Sequence, residues 1–268
     1  MSEATAKDLR VAPIKAADAN ALVQRVHYSG KVVPNSQLHL GVFLGGRLEG
    51  VMQFGPSMDK RKTLGLVRGT EWNGFLELNR MAFSERLPRN SESRAISIAM
   101  RIIRKAYPHI EWVISFADGT QCGDGTIYRA SGFLLTGIKQ NNQILEMPDG
   151  SRVARVTITK AEHILKTGGA KIPNGAKALP GFQLRYVYFL NPSARSRLTV
   201  PVLPFSAIEK AGASMYRGKR NGILDAAAAT ALDATALASV SSEAVEPPSM
   251  VGGAAPTRTL NDSTARVS

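Results

Sequence analysis

Asp118 closes the most apolar run of the chain, Trp112 to Ala117, and is followed by a glycine. Open α/β sheets bind ligands at the carboxyl ends of their strands, where the connecting loops part. A carboxylate there can take a proton or ligate a metal. An Asp-Gly pair is also ordinary turn chemistry, so both readings stand at this level. Tyr128 follows on a short helical stretch. Its hydroxyl could return to the strand end, or its ring could pack. Asp124, between them, has the character of a helix N-cap. His27-Tyr28 ends an earlier helical stretch. Histidine is the usual general base and a common metal ligand, but at a helix C-terminus it can also serve only the helix dipole. Both side chains reach one site only if the backbone unwinds at Ser29-Gly30. In Glu77-Leu78-Asn79-Arg80, a strand bulge near Asn79 would turn Arg80 into a cleft. A buried Glu77/Arg80 pair is the alternative. Cys122 is the only cysteine, so neither a disulfide nor a multi-cysteine metal site can form within one chain, which fits a reducing cytoplasm. As a nucleophile it lacks an evident base. His39, His109 and His163 read as structural or exposed.

Several elements must position these residues. Residues 9–14 read as an edge strand, which tolerates Pro13. Residues 18–26 read as a helix with Asp18 as N-cap, stopped by Gly30. Residues 38–44 and 48–54 flank Gly45-Gly46, a dipeptide suited to the positive φ angles of a tight hairpin. Asp59 to Lys62 is a polar, basic stretch, and Phe75 to Phe83 is a strand. The best helix begins near Ser91: Ala95, Ile98, Ala99, Ile102, Ile103 and Ala106 recur at helical spacing, and Pro108 ends it. Trp112 to Ala117 is apolar on both faces, as a buried central strand is. A short helix at 126–131 stops at Gly132. Residues 134–138 and 153–158 read as closing strands, and 182–190 as a further β segment. The expected division is a catalytic domain at 1–160, a basic extension at 161–222 packed on the core or binding DNA, and a disordered, Ala/Ser/Thr-rich tail at 223–268.

This order predicts an α/β fold. A mixed β-sheet flanked by helices, with a long helix after its fourth strand, is the plan of GNAT-type acyltransferases. Such enzymes hold the coenzyme A pyrophosphate at a helix N-terminus through an Arg/Gln-x-x-Gly-x-Gly/Ala loop. Here the loop is Arg89-Asn90-Ser91-Glu92-Ser93-Arg94, and Glu92 and Arg94 replace both small residues. Acid and bulk at that point oppose a pyrophosphate, so acetyl-CoA is not expected. Arg89 and Arg94 could hold a DNA phosphate instead.

The net charge of +13 and pI of about 10.1 draw the protein toward polyanions. No apolar run reaches the roughly 20 residues of a membrane span, and the first ten residues lack a signal peptide's apolar segment. The expectation is a cytoplasmic protein whose partner is double-stranded DNA rather than a membrane, with a homodimer as a compatible assembly. Lys60, Arg61 and Lys62, and the segment 195–220, are candidate phosphate contacts, although a charge run is often only a solvated face.

His27-Tyr28-Ser29, Leu38-His39-Leu40-Gly41-Val42-Phe43, Glu77-Leu78-Asn79-Arg80, Ser115-Phe116-Ala117-Asp118-Gly119 and Tyr128-Arg129-Ala130-Ser131-Gly132-Phe133 together resemble the phage Mom family of DNA-modification proteins. The resemblance covers residues 10–160 at least. It implies a GNAT-like fold and transfer of a carbamoylmethyl group to the exocyclic amine of adenine, shielding phage DNA from host restriction. It carries the functional positions onto His27, Tyr28, Asp118 and Tyr128, with Arg80 as a further candidate, and implies iron held by the first four. The group donor is left open. Adenine's amine is paired and stacked in the duplex, so such an enzyme is expected to flip the base, with Tyr28 or Tyr128 stacking on it. A coenzyme A-dependent N-acyltransferase and a non-catalytic DNA-binding protein are the alternatives.

Overall fold

The computed structural model describes residues 4–27, 29–118, 123–158, 172–213, 215–216 and 219–220. Tyr28, Cys122, His163 and the tail from 223 lie outside the described residues. Seven strands form one mixed sheet: β1 (Arg10–Pro13), β2 (Leu38–Leu44), β3 (Arg47–Gly55), β4 (Phe75–Phe83), β5 (Trp112–Asp118), β6 (Leu134–Asn141) and, from later in the chain, β10 (Gly181–Phe189). Their order across the sheet is β1-β2-β3-β4-β5-β10-β6. Only β4 and β5 pair in parallel, linked by the long helix α3 (Ser91–Ala106). This is the acyltransferase-type plan expected from the order of elements.

The β2–β3 hairpin forms as read, with φ of 55° at Gly45 and 80° at Gly46. Helix α1 runs from Ala16 to Val26, and Lys15, not Asp18, occupies the N-cap. Asp18 stands in the first turn, where a carboxylate favours the helix dipole. The stretch at 59–62 is a helical turn, α2 (Lys60–Leu64), because the Asp59 carboxylate accepts the Lys62 N–H. Residues 153–158 do not close the main sheet. The Gly150 turn brings β8 (Arg152–Ala154) back onto β7 (Ile144–Glu146), which also pairs with β9 (Lys177–Ala178) in a separate small sheet. The chain then turns into α5 (Arg155–Ile158). The segment read as a basic extension supplies strand β10, which lies between β5 and β6 in the main sheet.

Strand alternation sorts the side chains onto two faces. On one face Leu40, Met52, Phe54, Leu78, Val113, Ala117, Leu135, Leu184 and Tyr186 meet the apolar stripe of α3 (Ala95, Ile96, Ala99, Met100, Ile103). On the other, Val51 and Ala82 meet Ala19, Leu22 and Val23 of α1, while Phe75, Trp112, Ile114 and Val187 meet Leu66, Val67 and Ala194. Phe75 and Trp112 are stacked at 4.4 Å, where β4 and β5 pair.

Helix α4 (Thr126–Ala130) is set by one contact. The Tyr186 hydroxyl donates to the Asp124 carbonyl, and its ring lies over Gly125. The N-cap is Gly125, not the expected Asp124, whose carboxylate accepts the Thr126 N–H and hydroxyl one residue further out. Gly125 has φ of 78°, and a Cβ there would stand 2.5 Å from the Tyr186 ring. Gly125→Ala therefore combines left-handed backbone strain with overpacking, expected to cost about 2–4 kcal/mol. A fall in Tm of roughly 5–15 °C, read by circular dichroism, is the expected result; an unchanged Tm would contradict it.

Candidate active site at the split of the sheet

Strands β4 and β5 pair only from Phe75↔Trp112 to Glu77↔Ile114. Beyond that point β4 follows β3 to Phe83 and β5 follows β10 to Asp118, so the sheet splits. Both strands then present main-chain groups to the gap instead of to each other.

The bulge expected near Asn79 is present. Leu78 pairs with Phe54 and Arg80 with Gln53, leaving Asn79 as the extra residue of β4. The bulge returns Arg80 to the face that carries Glu77. Arg80 Nε donates to the Lys31 carbonyl at 3.0 Å and Nη1 to the Asn79 carbonyl at 3.0 Å. Asn79 accepts the Ser36 hydroxyl and donates to the Pro56 carbonyl. Arg80 thus ties the chain leaving α1 down onto β4. Behind it, in one cross-strand row, stand Gln53 of β3 and His39 of β2. The Gln53 amide, itself fully buried, donates to Asn20 of α1 at 2.8 Å and meets His39 Nδ1 at 3.1 Å, a part-buried polar tie between helix and sheet.

His27 is the C-cap of α1, already extended in backbone (ψ 134°), and Gly30 follows at φ 58°. The unwinding needed to free this residue therefore begins at His27. Its Nδ1 accepts the Ser29 N–H at 3.2 Å and meets the Ser29 hydroxyl at 2.9 Å. An N–H aimed at Nδ1 assigns the ring proton to Nε2. Burial, and secondly the Arg80 charge, hold the imidazole down at about 4. At neutral pH it is an uncharged hydrogen-bond donor through Nε2. Glu77 is half-buried, and burial raises its pKa above the usual carboxylate range, against the opposing pull of Ser57, Asn79 and Arg80. The bulge puts Arg80 on the face of Glu77, where its charge opposes the raised pKa, but the ion pairs among the described residues do not include these two.

Asp118 is half-buried at the end of β5, on the face of Ile114 and Phe116. By alternation it shares that face with Glu77 and Arg80. Tyr128 is placed differently. Its ring is buried on the α3 face, 5.4 Å from Phe133 and 5.3 Å from Tyr186. Iron would need His27, Tyr28, Asp118 and Tyr128 together. His27 stands beside a guanidinium, the Tyr128 ring is on the other face, and Tyr28 lies outside the described residues. No three His, Cys, Asp or Glu side chains gather as a metal site among the described residues. The set as a whole thus lies partly outside the described residues.

The expected DNA-binding residues separate into two groups. Arg61 and Lys62 are exposed on α2, whereas Lys60 is engaged by Asn73 at 2.9 Å and lies 4.5 Å above the Trp72 ring. Arg89 and Arg94 are exposed at the start of α3, and Arg94 lies near enough to Asp8 to lower its pKa. The N-cap there, Asn90, has φ of 69° and makes no side-chain cap. A groove of about 530 Å³ lies at the opposite end of β4, between Lys60, Trp72, Tyr107 and His109. It holds no carboxylate, and its one cation already has partners, so the split of the sheet is the stronger candidate for chemistry. Among the described residues no helix is long and apolar enough to cross a membrane.

Arg185 was not singled out by its residue type. It sits in β10 directly opposite Phe116 and on the face of Asp118. The available signal was a lone charge within an apolar β run, Phe182 to Leu190.

The Mom protein family matches residues 8–207. The chain is 41% identical over 195 residues to the methylcarbamoylase Mom of Escherichia phage Mu, covering 72% of this chain and 80% of that protein. Among solved structures, an acetyltransferase from Bacillus subtilis in complex with CoA is similar with a TM-score of 0.40 and 12% identity, over 68% of this chain and 98% of that one. An IAA acetyltransferase from Bacillus cereus gives 0.38 and 12%, over 68% and 99%.

Proposed function

Because the chain belongs to the Mom protein family, we propose that it is a DNA-modifying transferase that converts adenine to N6-carbamoylmethyladenine in phage DNA and so protects that DNA from host restriction. The phage Mu relative is a methylcarbamoylase, which supports transfer of such a group. The observation that supports the reading is that the Arg80 charge acts on both His27 and Glu77 beside the split, with Asp118 ending the neighbouring strand on the same face, in a chain of net charge +13. Positive charge attracts the phosphate backbone without selecting sequence. A target base turned out of the duplex can reach a cleft that the duplex cannot enter.

In the proposed transfer a C–N bond forms between adenine N6 and the methylene carbon of the carbamoylmethyl group. The donor's leaving group departs with the bonding electrons, and N6 gives up one proton. Asp118 accepts that proton. His27, uncharged, donates through Nε2 to orient the base or the carbamoyl oxygen. Arg80 supplies fixed positive charge where negative charge develops on the leaving group. Glu77 stands on the face of Arg80, whose charge opposes the rise in its pKa.

The test is mass spectrometry of nucleosides digested from plasmid DNA of cells that express the chain. An adenosine heavier by one carbamoylmethyl group is expected. Unmodified adenosine in cells that make folded protein would overturn the reading and favour an acyltransferase with another acceptor.

A further inference from the structure

We propose that Arg185 is a second anion-binding residue of the site, seated to take a phosphate of the DNA strand beside the split; this rests on the DNA-modifying reading. Three observations carry it. First, Arg185 lies on the face of Asp118: Phe116 pairs directly with Arg185 and Arg185 with Gly137, while Asp118 pairs with Gln183, the next residue of β10 on that face.

Second, the guanidinium has a built seat. Its Nε donates to the Thr136 hydroxyl at 3.0 Å, and Nη2 donates to the Thr136 carbonyl. It lies flat over β6 because residue 137 has no side chain: a Cβ there would stand 3.1 Å from Nη2 and 3.3 Å from Cζ. Both anchors are neutral groups of Thr136. The ion pairs among the described residues involve other arginines, Arg47, Arg86, Arg152 and Arg197. Of the five N–H donors of a guanidinium, those not spent on Thr136 make no hydrogen bond with the described residues.

Third, the face is accessible there. In the next row Asp118 pairs with Gln183 and Gln183 with Lys139, and both Gln183 and Lys139 are exposed. On the opposite face the alternate residues Leu184 and Tyr186 are fully buried. Half-burying a cation without an anion is unfavourable, and burial does hold the Arg185 proton affinity down. A planar fork with spare donors, held on an exposed, polar sheet face, suits a phosphodiester oxygen pair.

The experiment is DNA binding by the full chain, by fluorescence anisotropy with a duplex of about 20 base pairs, across roughly 50–250 mM salt. Neutralising one phosphate contact changes the slope of log K against log salt by about 0.9. Arg185→Gln is expected to lower the slope by that amount and to weaken binding about fivefold or more near 100 mM salt. Arg101→Gln removes the same charge from the exposed side of α3 and is expected to leave the slope unchanged. An unchanged slope in Arg185→Gln, or an equal drop in both variants, would overturn the inference while leaving the DNA-modifying reading intact. Absence of DNA binding by the unaltered chain would overturn both. If Arg185→Gln does not fold, Gly137→Ala crowds the guanidinium without removing charge. Binding weakened about threefold is then expected, and unchanged affinity would overturn the seat.

Discussion

Asp118→Asn is expected to abolish adenine modification, by about a hundredfold or more, in a protein that melts within a few degrees of the unaltered chain. The substitution keeps the shape of the side chain and removes the proton acceptor. Asp118 is half-buried at the terminus of β5, after the last β4–β5 pair and outside the apolar clusters. Its backbone register against Gln183 is unaffected by the change. Nucleoside mass spectrometry with parallel thermal melts reads both halves of the expectation. Full modification by the asparagine variant would remove Asp118 from the proton transfer, and a collapsed melt would make its role structural.

Arg80→Met is expected to lose activity to a similar degree, through positioning as well as charge. The side chain holds the Lys31 and Asn79 carbonyls. Methionine fills comparable space but releases the chain that leaves α1. The effect has a spectroscopic signature. Burial is the larger cause of the low His27 value of about 4, and the Arg80 charge the smaller. Without that charge, the His27 ring, followed by NMR, should titrate higher than 4 but still below its ordinary 6.5. The sign for stability follows. A histidine held below its unfolded value contributes stability above pH 6.5 that is lost as pH falls through the folded value. Arg80→Met narrows that window, so less of its stability is lost between neutral pH and about pH 4. A His27 titration that does not move would show that the two side chains are uncoupled.

Much of the fold was legible in residue order because short-range physics governs it. The helical stripe from Ala95 to Ala106, the Gly45-Gly46 hairpin, and the apolar run ending at Asp118 each depend on neighbours within one element. His27, Asp118 and Arg80 could be named from residue type, position at an element's end, and family resemblance. The bulge at Asn79 could be anticipated because a strict two-residue alternation would have sent Arg80 into the α3 core beside Leu78.

What residue order did not contain was the pairing of distant strands. β10 could be recognised as a strand, but nothing local said that it enters the sheet between β5 and β6. Its register alone makes Arg185 a neighbour of Phe116 and puts it on the face of Asp118. Residues 153–158 failed for the same reason. Their apolar alternation suits a strand, yet the main sheet's place beside β5 goes to β10, and Arg152–Ala154 pairs with Ile144–Glu146 instead. Tyr128 is the sharpest case. A tyrosine on a short helix can point to a cleft or to a core, and here the Phe133 and Tyr186 rings hold its own ring on the α3 face. Element type is a property of nearby residues. Which side chains share a site is set by cross-strand register and by which face each helix covers, and both depend on contacts between residues far apart in the chain.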